Sequence, residues 1–154
     1  MLRSVTSLIL CSLVSASVFA CAGSEGPVQI VFDSFHDGDW EIFVMDVDGT
    51  NVRQLTTNDD GDYNPDWSPD GKEIAFNSDR YGDAEVFVMD ADGTNVRQLT
   101  ANDVGDYTPA WSPDGKQIAF RSYRYGDPEI LVMDADGTNV RQLTQKGFEP
   151  RYKP

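Results

Sequence analysis

Acidic turns that recur along the chain carry the side chains whose spacing best suits metal binding. Asp46, Asp48 and Asn51 surround Gly49 in the pattern Asp-x-Asp-Gly-x-Asn, which resembles the first half of a calcium-binding loop. The second half of such a loop and its distal glutamate are missing. The pattern returns in two copies, and Asp-Gly between apolar runs is typical of a hairpin turn. We therefore predict hairpin turns closed by side-chain-to-backbone hydrogen bonds, and no metal site.

Residues for covalent or acid–base catalysis are scarce. His36 is the only histidine, and the two cysteines, Cys11 and Cys21, both fall within the first 21 residues. No Gly-x-Ser-x-Gly elbow is present, so a Ser-His-Asp triad has no support, and no His/Cys spacing fits zinc. The 26 acidic residues leave a glycosidase-like carboxylate pair open without favouring one. We predict no catalytic residue and no cofactor.

The charge balance restricts the partners. The 154-residue chain has 26 acidic and 12 basic side chains, giving a formal charge of −14. Such a surface repels phosphate backbones and anionic lipid headgroups. We therefore predict no nucleic-acid partner and no membrane contact except through a lipid anchor. Hydrophobic residues make up 40% of the chain, which is enough for a packed core.

A 44-residue repeat organises the chain and must position any functional side chain. Trp67–Lys72, with the sequence Trp-Ser-Pro-Asp-Gly-Lys, returns as Trp111–Lys116, and Val88–Thr100 is identical to Val132–Thr144. A fixed period in this range indicates stacked supersecondary units. We predict three repeats over residues 28–154, at about 28–62, 63–106 and 107–147, with a closing strand at 148–154.

Each repeat has the pattern of four short strands. In the middle repeat a first strand, Tyr63–Trp67, precedes a Pro-Asp-Gly turn, and Glu73–Ser78 follows as the second strand. The third strand, Glu85–Asp90, contains an unbroken apolar run, as do its copies Glu41–Asp46 and Glu129–Asp134, and such a run implies burial on both faces. The fourth strand is Val52–Thr56 in the first repeat, with its copies in the others. This pattern predicts an all-β fold of three four-stranded β-propeller blades.

The repeat is similar to that of the TolB-type β-propellers. The likeness rests on Trp-Ser-Pro-Asp-Gly-Lys-x-Ile-Ala-Phe, Tyr-Gly-Asp-x-Glu and Val-Met-Asp-Ala-Asp-Gly-Thr-Asn-Val-Arg-Gln-Leu-Thr, and it covers essentially all of residues 28–154. These propellers include the periplasmic TolB proteins and those attached to prolyl-oligopeptidase-like hydrolases. The resemblance implies six blades behind an N-terminal α/β domain, whereas this sequence shows three repeats and neither that domain nor a hydrolase domain.

The N-terminal segment resembles an export signal. Arg3 supplies a positive charge, and the apolar stretch around Leu8–Val14 is too short to span a bilayer comfortably. Val18–Cys21 is similar to a bacterial lipobox, although Phe19 replaces the usual small residue, so ordinary cleavage without lipidation is the alternative. We predict a signal peptide over residues 1–20, a lipid anchor at Cys21, a tether over 21–27 and a location in the bacterial cell envelope or periplasm.

The two ends of the array predict how a ring closes. The first repeat is expected to lack its first strand because Pro27–Gln29 leads directly into the second, whereas Glu149–Pro154 resembles Asn64–Pro69 and supplies a spare. Three blades are fewer than the usual range of about four to eight. We predict a homodimer in which each closing strand completes the partner's first blade, giving six blades. An open or closed three-blade array, or a truncated longer propeller, is the alternative.

Positions that break the repeat are the best binding candidates, because residues present in every blade are most economically structural. Phe35, Asp79 and Tyr123 share one position in the three repeats, within the loop between the second and third strands. Two Asp-Tyr pairs lie near the expected channel mouth, and Arg80 and Arg124 are also expected to pair with blade carboxylates. The predicted binding candidates are His36, Trp40, Asp62, Tyr63, Arg80, Asp106, Tyr107, Tyr123 and Arg124.

Taken with the resemblance, these patterns predict an exported, non-enzymatic module that binds a protein or peptide in the cell envelope. One alternative is an accessory propeller of a peptidase or of a polysaccharide-active enzyme system. The other is a self-assembling structural module without a separate ligand. A free-standing enzyme would need an asymmetric polar cluster in its channel, which distinguishes it from both.

Overall fold

The computed structural model describes residues 16–19 and 28–145, and these residues form strands, turns and loops without a helix. Three antiparallel four-stranded sheets follow one another, each pairing its strands in chain order. This confirms the predicted propeller blades. None of the described residues belongs to a helix able to cross a membrane. The strands are β1 (Ala16–Phe19), β2 (Gln29–His36), β3 (Asp39–Asp46), β4 (Arg53–Gln54), β5 (Asp62–Trp67), β6 (Glu73–Ser78), β7 (Glu85–Asp90), β8 (Arg97–Gln98), β9 (Asp106–Trp111), β10 (Gln117–Tyr125), β11 (Asp127–Asp134) and β12 (Arg141–Gln142).

The first blade has a first strand, contrary to the expectation from the repeat. Ala16–Phe19 pairs antiparallel with β2 in a register that joins Ala16 to Phe32 and Phe19 to Gln29. This pairing satisfies backbone groups that the edge of β2 would otherwise expose. The added strand comes from the predicted signal peptide. The rest of that peptide, the tether with Cys21 and the closing strand at 148–154 lie outside the described residues.

The fourth strands are shorter than predicted. Only Arg53 and Gln54 pair with β3, rather than the whole of Val52–Thr56. The ladder stops because the Thr56 hydroxyl replaces a backbone partner, accepting the N–H of Ile42 at 2.8 Å. The same two-residue pairing occurs in both copies.

Two hydrophobic cores lie between consecutive blades. The first includes Trp67 with Phe76, and the second includes Val88 with Phe120. In the middle blade the run Val86–Met89 is buried on both faces, as predicted, because a blade covers each side. The corresponding runs of the outer blades are buried mainly on the side facing the middle blade, which corrects the expectation that all three are enclosed.

Candidate binding site at the loop end of the blades

Most of the predicted binding candidates gather at one end of the blades. This loop end comprises the β2–β3, β6–β7 and β10–β11 loops with the starts of β5 and β9. Trp40 packs edge-on against Phe35, with ring centroids 6.0 Å apart, and lies 6.1 Å from the ring of Tyr63 in the next blade. Tyr107 meets Tyr123 at 5.9 Å in the third blade. The loop end therefore carries an aromatic row formed by these five residues.

Gly61 and Gly105 position the rings of Tyr63 and Tyr107. A Cβ atom added to Gly61 would lie 2.1 Å from the Tyr63 hydroxyl oxygen, and one added to Gly105 would lie 2.2 Å from that of Tyr107. Such distances are far below van der Waals contact. The motif Gly-Asp-Tyr thus folds each tyrosine back over its own glycine, a role that the repeated glycine signals in the sequence.

Four of the candidates form ion pairs inside the protein. Arg80 Nη2 donates to the fully buried carboxylate of Asp62 at 3.0 Å, and Arg124 Nη2 donates to that of Asp106 at 2.6 Å. The Arg80 guanidinium also lies 4.7 Å from the ring centroid of Phe87. A buried carboxylate held in this way loses stability if its partner is removed. These pairs hold the start of a first strand to the loop above it and are therefore structural.

His36 lies apart from the aromatic row. Its imidazole is exposed, approaches the Asp37 carboxylate at 3.3 Å and meets the Phe43 ring edge-on at 5.8 Å. Nothing else among the described residues makes it a nucleophile or a metal ligand.

The acidic turns use their side chains for their own backbone. Asp48 Oδ1 accepts both the Thr50 N–H at 3.0 Å and the Thr50 hydroxyl at 2.7 Å. These hydrogen bonds hold the pKa of Asp48 below its usual value. The Asn51 amide, at φ 53°, donates to Asp46 at 2.6 Å. No group of three potential metal ligands occurs among the described residues.

Each blade also buries a glutamate beside a threonine. Thr100 donates to Glu85 at 2.5 Å, and the Asn102 N–H donates to the other carboxylate oxygen at 2.6 Å. Burial raises the pKa of Glu85 above its ordinary value, and the Thr100 hydrogen bond opposes the shift. Because Glu41 and Glu129 make the same threonine contact, this carboxylate belongs to the blade.

A cleft lies between the second and third blades. Its volume is about 250 Å³, and we call it the Tyr63–Tyr107 cleft. Burial raises the pKa of the Asp79 carboxyl, and nearby aspartates raise it further. Burial also raises the pKa of the Tyr63 phenol, with Asp79 as the next cause. The lining residues are Tyr63, Asn64, Asn77, Asp79 and Tyr107.

The repeat is broken at two positions in the region of the cleft. In the first blade these positions hold Phe35 and Trp40, and the Trp40 ring packs against Tyr63. In the second blade they hold Asp79 and Ala84, so no large ring reaches Tyr107 from there. The non-repeating positions singled out in the sequence therefore differ in whether a large aromatic ring contacts the tyrosine of the next blade.

Two residues of this region, Asn77 and Arg121, were not predicted from the sequence. Asn77 Oδ1 accepts the Asn64 side-chain amide at 2.9 Å and the Thr108 N–H at 3.3 Å, which links two blades. Arg121 places its guanidinium 5.2 Å from the ring centroid of Tyr107. The repeat could have indicated both residues, because one repeat position holds a different residue in each blade: Asp33, Asn77 and Arg121.

Comparison with known proteins gives one family. A family model described as the TolB beta propeller domain matches residues 7–104 and 81–153. The Tol-Pal system protein TolB of Geobacter metallireducens is 51% identical over 57 residues, which cover 36% of this chain and 13% of that relative. The chain therefore spans a small part of the length of this relative.

Solved structures agree with this match. The TolB structure from Agrobacterium tumefaciens has a TM-score of 0.69 and 32% identity, covering 74% of this chain and 44% of its own. TolB from Acinetobacter baumannii has a TM-score of 0.64 and 29% identity, covering 77% and 30%. A puromycin-hydrolysing peptidase of Mycobacterium tuberculosis has a TM-score of 0.61 at 17% identity, covering 77% and 20%. That likeness shows the fold alone.

Proposed function

Since the chain belongs to the TolB beta propeller domain family, we propose that it is a non-enzymatic module that binds a protein or peptide through the loop end of its blades. The observation that carries the proposal is the aromatic row, because the blades differ most in chemistry there. Phe35 and Tyr123 are exposed, and Trp40 and Tyr63 are half-buried. Exposed aromatic rings are the usual anchors of protein interfaces.

The proposed location is the bacterial cell envelope. It is supported by the lipobox-like residues before Cys21 and by the relative in Geobacter metallireducens, which is named a Tol-Pal system protein. An anchored Cys21 would leave the tether at 21–27 to hold the blades near the membrane. Mass spectrometry of the protein from envelope membranes tests this, since an acylated N-terminal Cys21 is expected and an unmodified mature N-terminus contradicts lipidation.

A random peptide library displayed on phage, selected against the exported protein, tests the binding role. The enriched peptides are expected to bind the double variant Phe35→Ser/Tyr123→Ser at least about ten-fold more weakly, since it removes two exposed rings. Lys116→Ala, at the opposite end of the blades, serves as the control and should bind them unchanged. Failure to enrich any peptide, or equal binding by both variants, overturns the proposal.

The end faces of the array support a second candidate function, self-assembly. In the middle blade Phe76 and Val86 are fully buried, whereas their copies Phe32 and Ile130 are not, and Ile130 is 40% exposed. The first blade therefore presents one half-exposed apolar face and the third blade presents another. Exposed apolar faces of this kind mark interaction sites or aggregation hazards.

A second copy of the chain fits both faces. Each face repeats a surface that the middle blade already buries against a neighbour, so the outer face of the third blade is complementary to that of the first. Two such head-to-tail contacts close a ring of two chains and six blades. Removal of the predicted signal peptide would also uncover the edge of β2 that Ala16–Phe19 covers, where the closing strand of the partner is proposed to pair.

Size-exclusion chromatography with light scattering tests the assembly on the exported protein. A dimer of the mature mass is expected. Ile130→Lys, which places a charge on the exposed end face, should give monomers, and Lys116→Ala should leave the dimer intact. A well-folded monomer at every concentration overturns this candidate and leaves the binding role standing.

A further inference from the structure

The Tyr63–Tyr107 cleft contains a carboxylate without a cationic partner. Among the described residues, Asp79 forms no ion pair and its side chain makes no hydrogen bond. The neighbouring buried carboxylates differ in this respect, because Asp62 is paired with Arg80 and Asp106 with Arg124. A partly buried carboxylate without a partner is the group that gains most from a bound cation.

The surroundings of Asp79 add to the attraction for positive charge. Carboxylates of Asp60, Asp62 and Asp83 lie near enough to raise its pKa beyond the effect of burial, and the chain as a whole carries a formal charge of −14. The Arg80 side chain is already engaged by Asp62. The field at the cleft therefore favours a cationic ligand over a neutral or anionic one.

The walls of the cleft suit a planar cation. Two tyrosine rings line it, and an aromatic face attracts a guanidinium placed over it. Tyr107 already has such a group near its ring, since the Arg121 guanidinium, which does not line the cleft, lies 5.2 Å from the Tyr107 ring centroid and 5.6 Å from that of Tyr123. Among the described residues the two lysines, Lys72 and Lys116, are instead highly exposed at the Pro-Asp-Gly turns.

A hydrogen-bond bridge between two blades and a strained backbone residue lie beside the cleft. Asn77 bridges Asn64 and Thr108 across two blades, and Thr108 adopts φ 50°, a left-handed conformation that β-branched residues rarely take. The volume of about 250 Å³ admits several heavy atoms, given that one water takes about 30 Å³ in the liquid. The end of an arginine side chain is of this size.

We infer that the Tyr63–Tyr107 cleft receives an arginine side chain of a peptide or protein partner, with Asp79 as the counter-ion and the two tyrosine rings as walls. The inference rests on the proposed binding function and names the chemistry that the partner presents. The aromatic row, including Phe35 and Trp40, then surrounds the cleft and contacts the residues flanking that arginine.

N-acetyl-arginine methylamide, titrated against the exported protein and followed by NMR, tests the inference. Ring signals of Tyr63 and Tyr107 are expected to shift, and the neutral citrulline analogue should bind at least about ten-fold more weakly, since it lacks the charge-assisted contact. The lysine analogue should also bind more weakly, because its ammonium group does not stack on the rings. Equal binding of arginine and citrulline overturns the inference.

Matched variants test whether the arginine binds at Asp79. Asp79→Asn should weaken arginine binding about ten-fold, whereas Asp83→Asn, an exposed neighbour of the same charge, should stay within about two-fold. Ala84→Trp gives the second blade the residue of the first, which packs against the tyrosine of the next blade, and it should weaken binding by crowding Tyr107. If that variant does not fold, Asp79→Asn still decides, since arginine binding unaffected by it contradicts the inference.

The peptides selected on phage separate this inference from the binding function itself. If they lose affinity with Phe35→Ser/Tyr123→Ser but not with Asp79→Asn, the module binds peptides and the arginine cleft is wrong. If arginine methylamide binds through Asp79 while no peptide is enriched, the cleft is correct and the proposed function fails. Both hold if the peptides contain arginine and need Asp79.

Discussion

The backbone N–H of Trp111 donates to the carboxylate of Asp66 at 2.8 Å, which ties the third blade to the second. The residue 44 positions after Asp66 is Ala110, which is exposed and belongs to the outermost described blade. The aspartate is thus present in the blade that another described blade follows, and it is absent from the outermost described blade. With the hydrogen bond from the Thr108 N–H to Asn77, this contact adds polar links to an interface that is otherwise mainly apolar.

Replacing Asp66 should therefore loosen the contact between these two blades. Asp66→Ala is expected to lower the free energy of unfolding by about 1–3 kcal/mol, because it leaves the Trp111 N–H without its acceptor. Urea denaturation measures the change. Ala110→Asp provides the matched control and should lie within about 0.5 kcal/mol of wild type, as expected of an exposed site. Equal effects of the two changes would show that the hydrogen bond carries no stability.

The 44-residue period predicted the scaffold well for a physical reason. An Asp-Gly turn and an apolar run are local signals, so the strand order and the hairpins followed from the repeat. The length of the fourth strands did not, because it depends on where the Thr56 hydroxyl replaces a backbone acceptor. Pairing of Ala16–Phe19 with β2 also lay beyond the repeat, since that segment resembles an export signal.

The candidate site was predicted in part. The broken repeat positions led to Trp40 and Tyr123, and the two Asp-Tyr pairs led to Tyr63 and Tyr107. These four residues do gather at one end. Sequence spacing alone does not distinguish a ligand-facing residue from one in an internal ion pair. The members of the two ion pairs, Asp62, Arg80, Asp106 and Arg124, were therefore predicted as binding candidates too. The cleft itself needed the structure, because its lining combines Asn77 and Asp79 of the second blade with Tyr107 of the third.

Substitutions at two copies of one phenylalanine test whether the end face of the first blade is exposed or is covered by a second chain. Phe76→Ala should cost about 3–5 kcal/mol in unfolding free energy, since the ring is fully buried between the first and second blades. Phe32→Ala, at the half-exposed copy in the first blade, should cost clearly less in a monomer. In a ring of two chains the cost of Phe32→Ala should approach that of Phe76→Ala and should rise with protein concentration. Denaturation of both variants at several concentrations distinguishes these cases.

Stability should fall as the pH rises above the ordinary range of glutamate titration. Burial raises the pKa of Glu85 in the folded state, so between its unfolded and folded pKa values the native protein binds more protons than the unfolded chain. The unfolding free energy therefore decreases with pH in that interval. Glu85→Gln should flatten this part of the profile, and Glu73→Gln, at a less buried carboxylate, should leave it unchanged. A profile that is identical in wild type and Glu85→Gln contradicts the assignment.

The packing of Tyr63 over Gly61 can be tested by a double-mutant cycle. Gly61→Ala should cost about 1–3 kcal/mol, because its Cβ would lie 2.1 Å from the Tyr63 hydroxyl oxygen and must displace the ring. In a Tyr63→Ala background the obstacle is absent, so the same substitution should cost almost nothing. The difference between the two costs is the coupling energy of the pair. Equal costs in both backgrounds would mean that the glycine does not position the ring, and the cleft wall would then depend on contacts with the neighbouring blade alone.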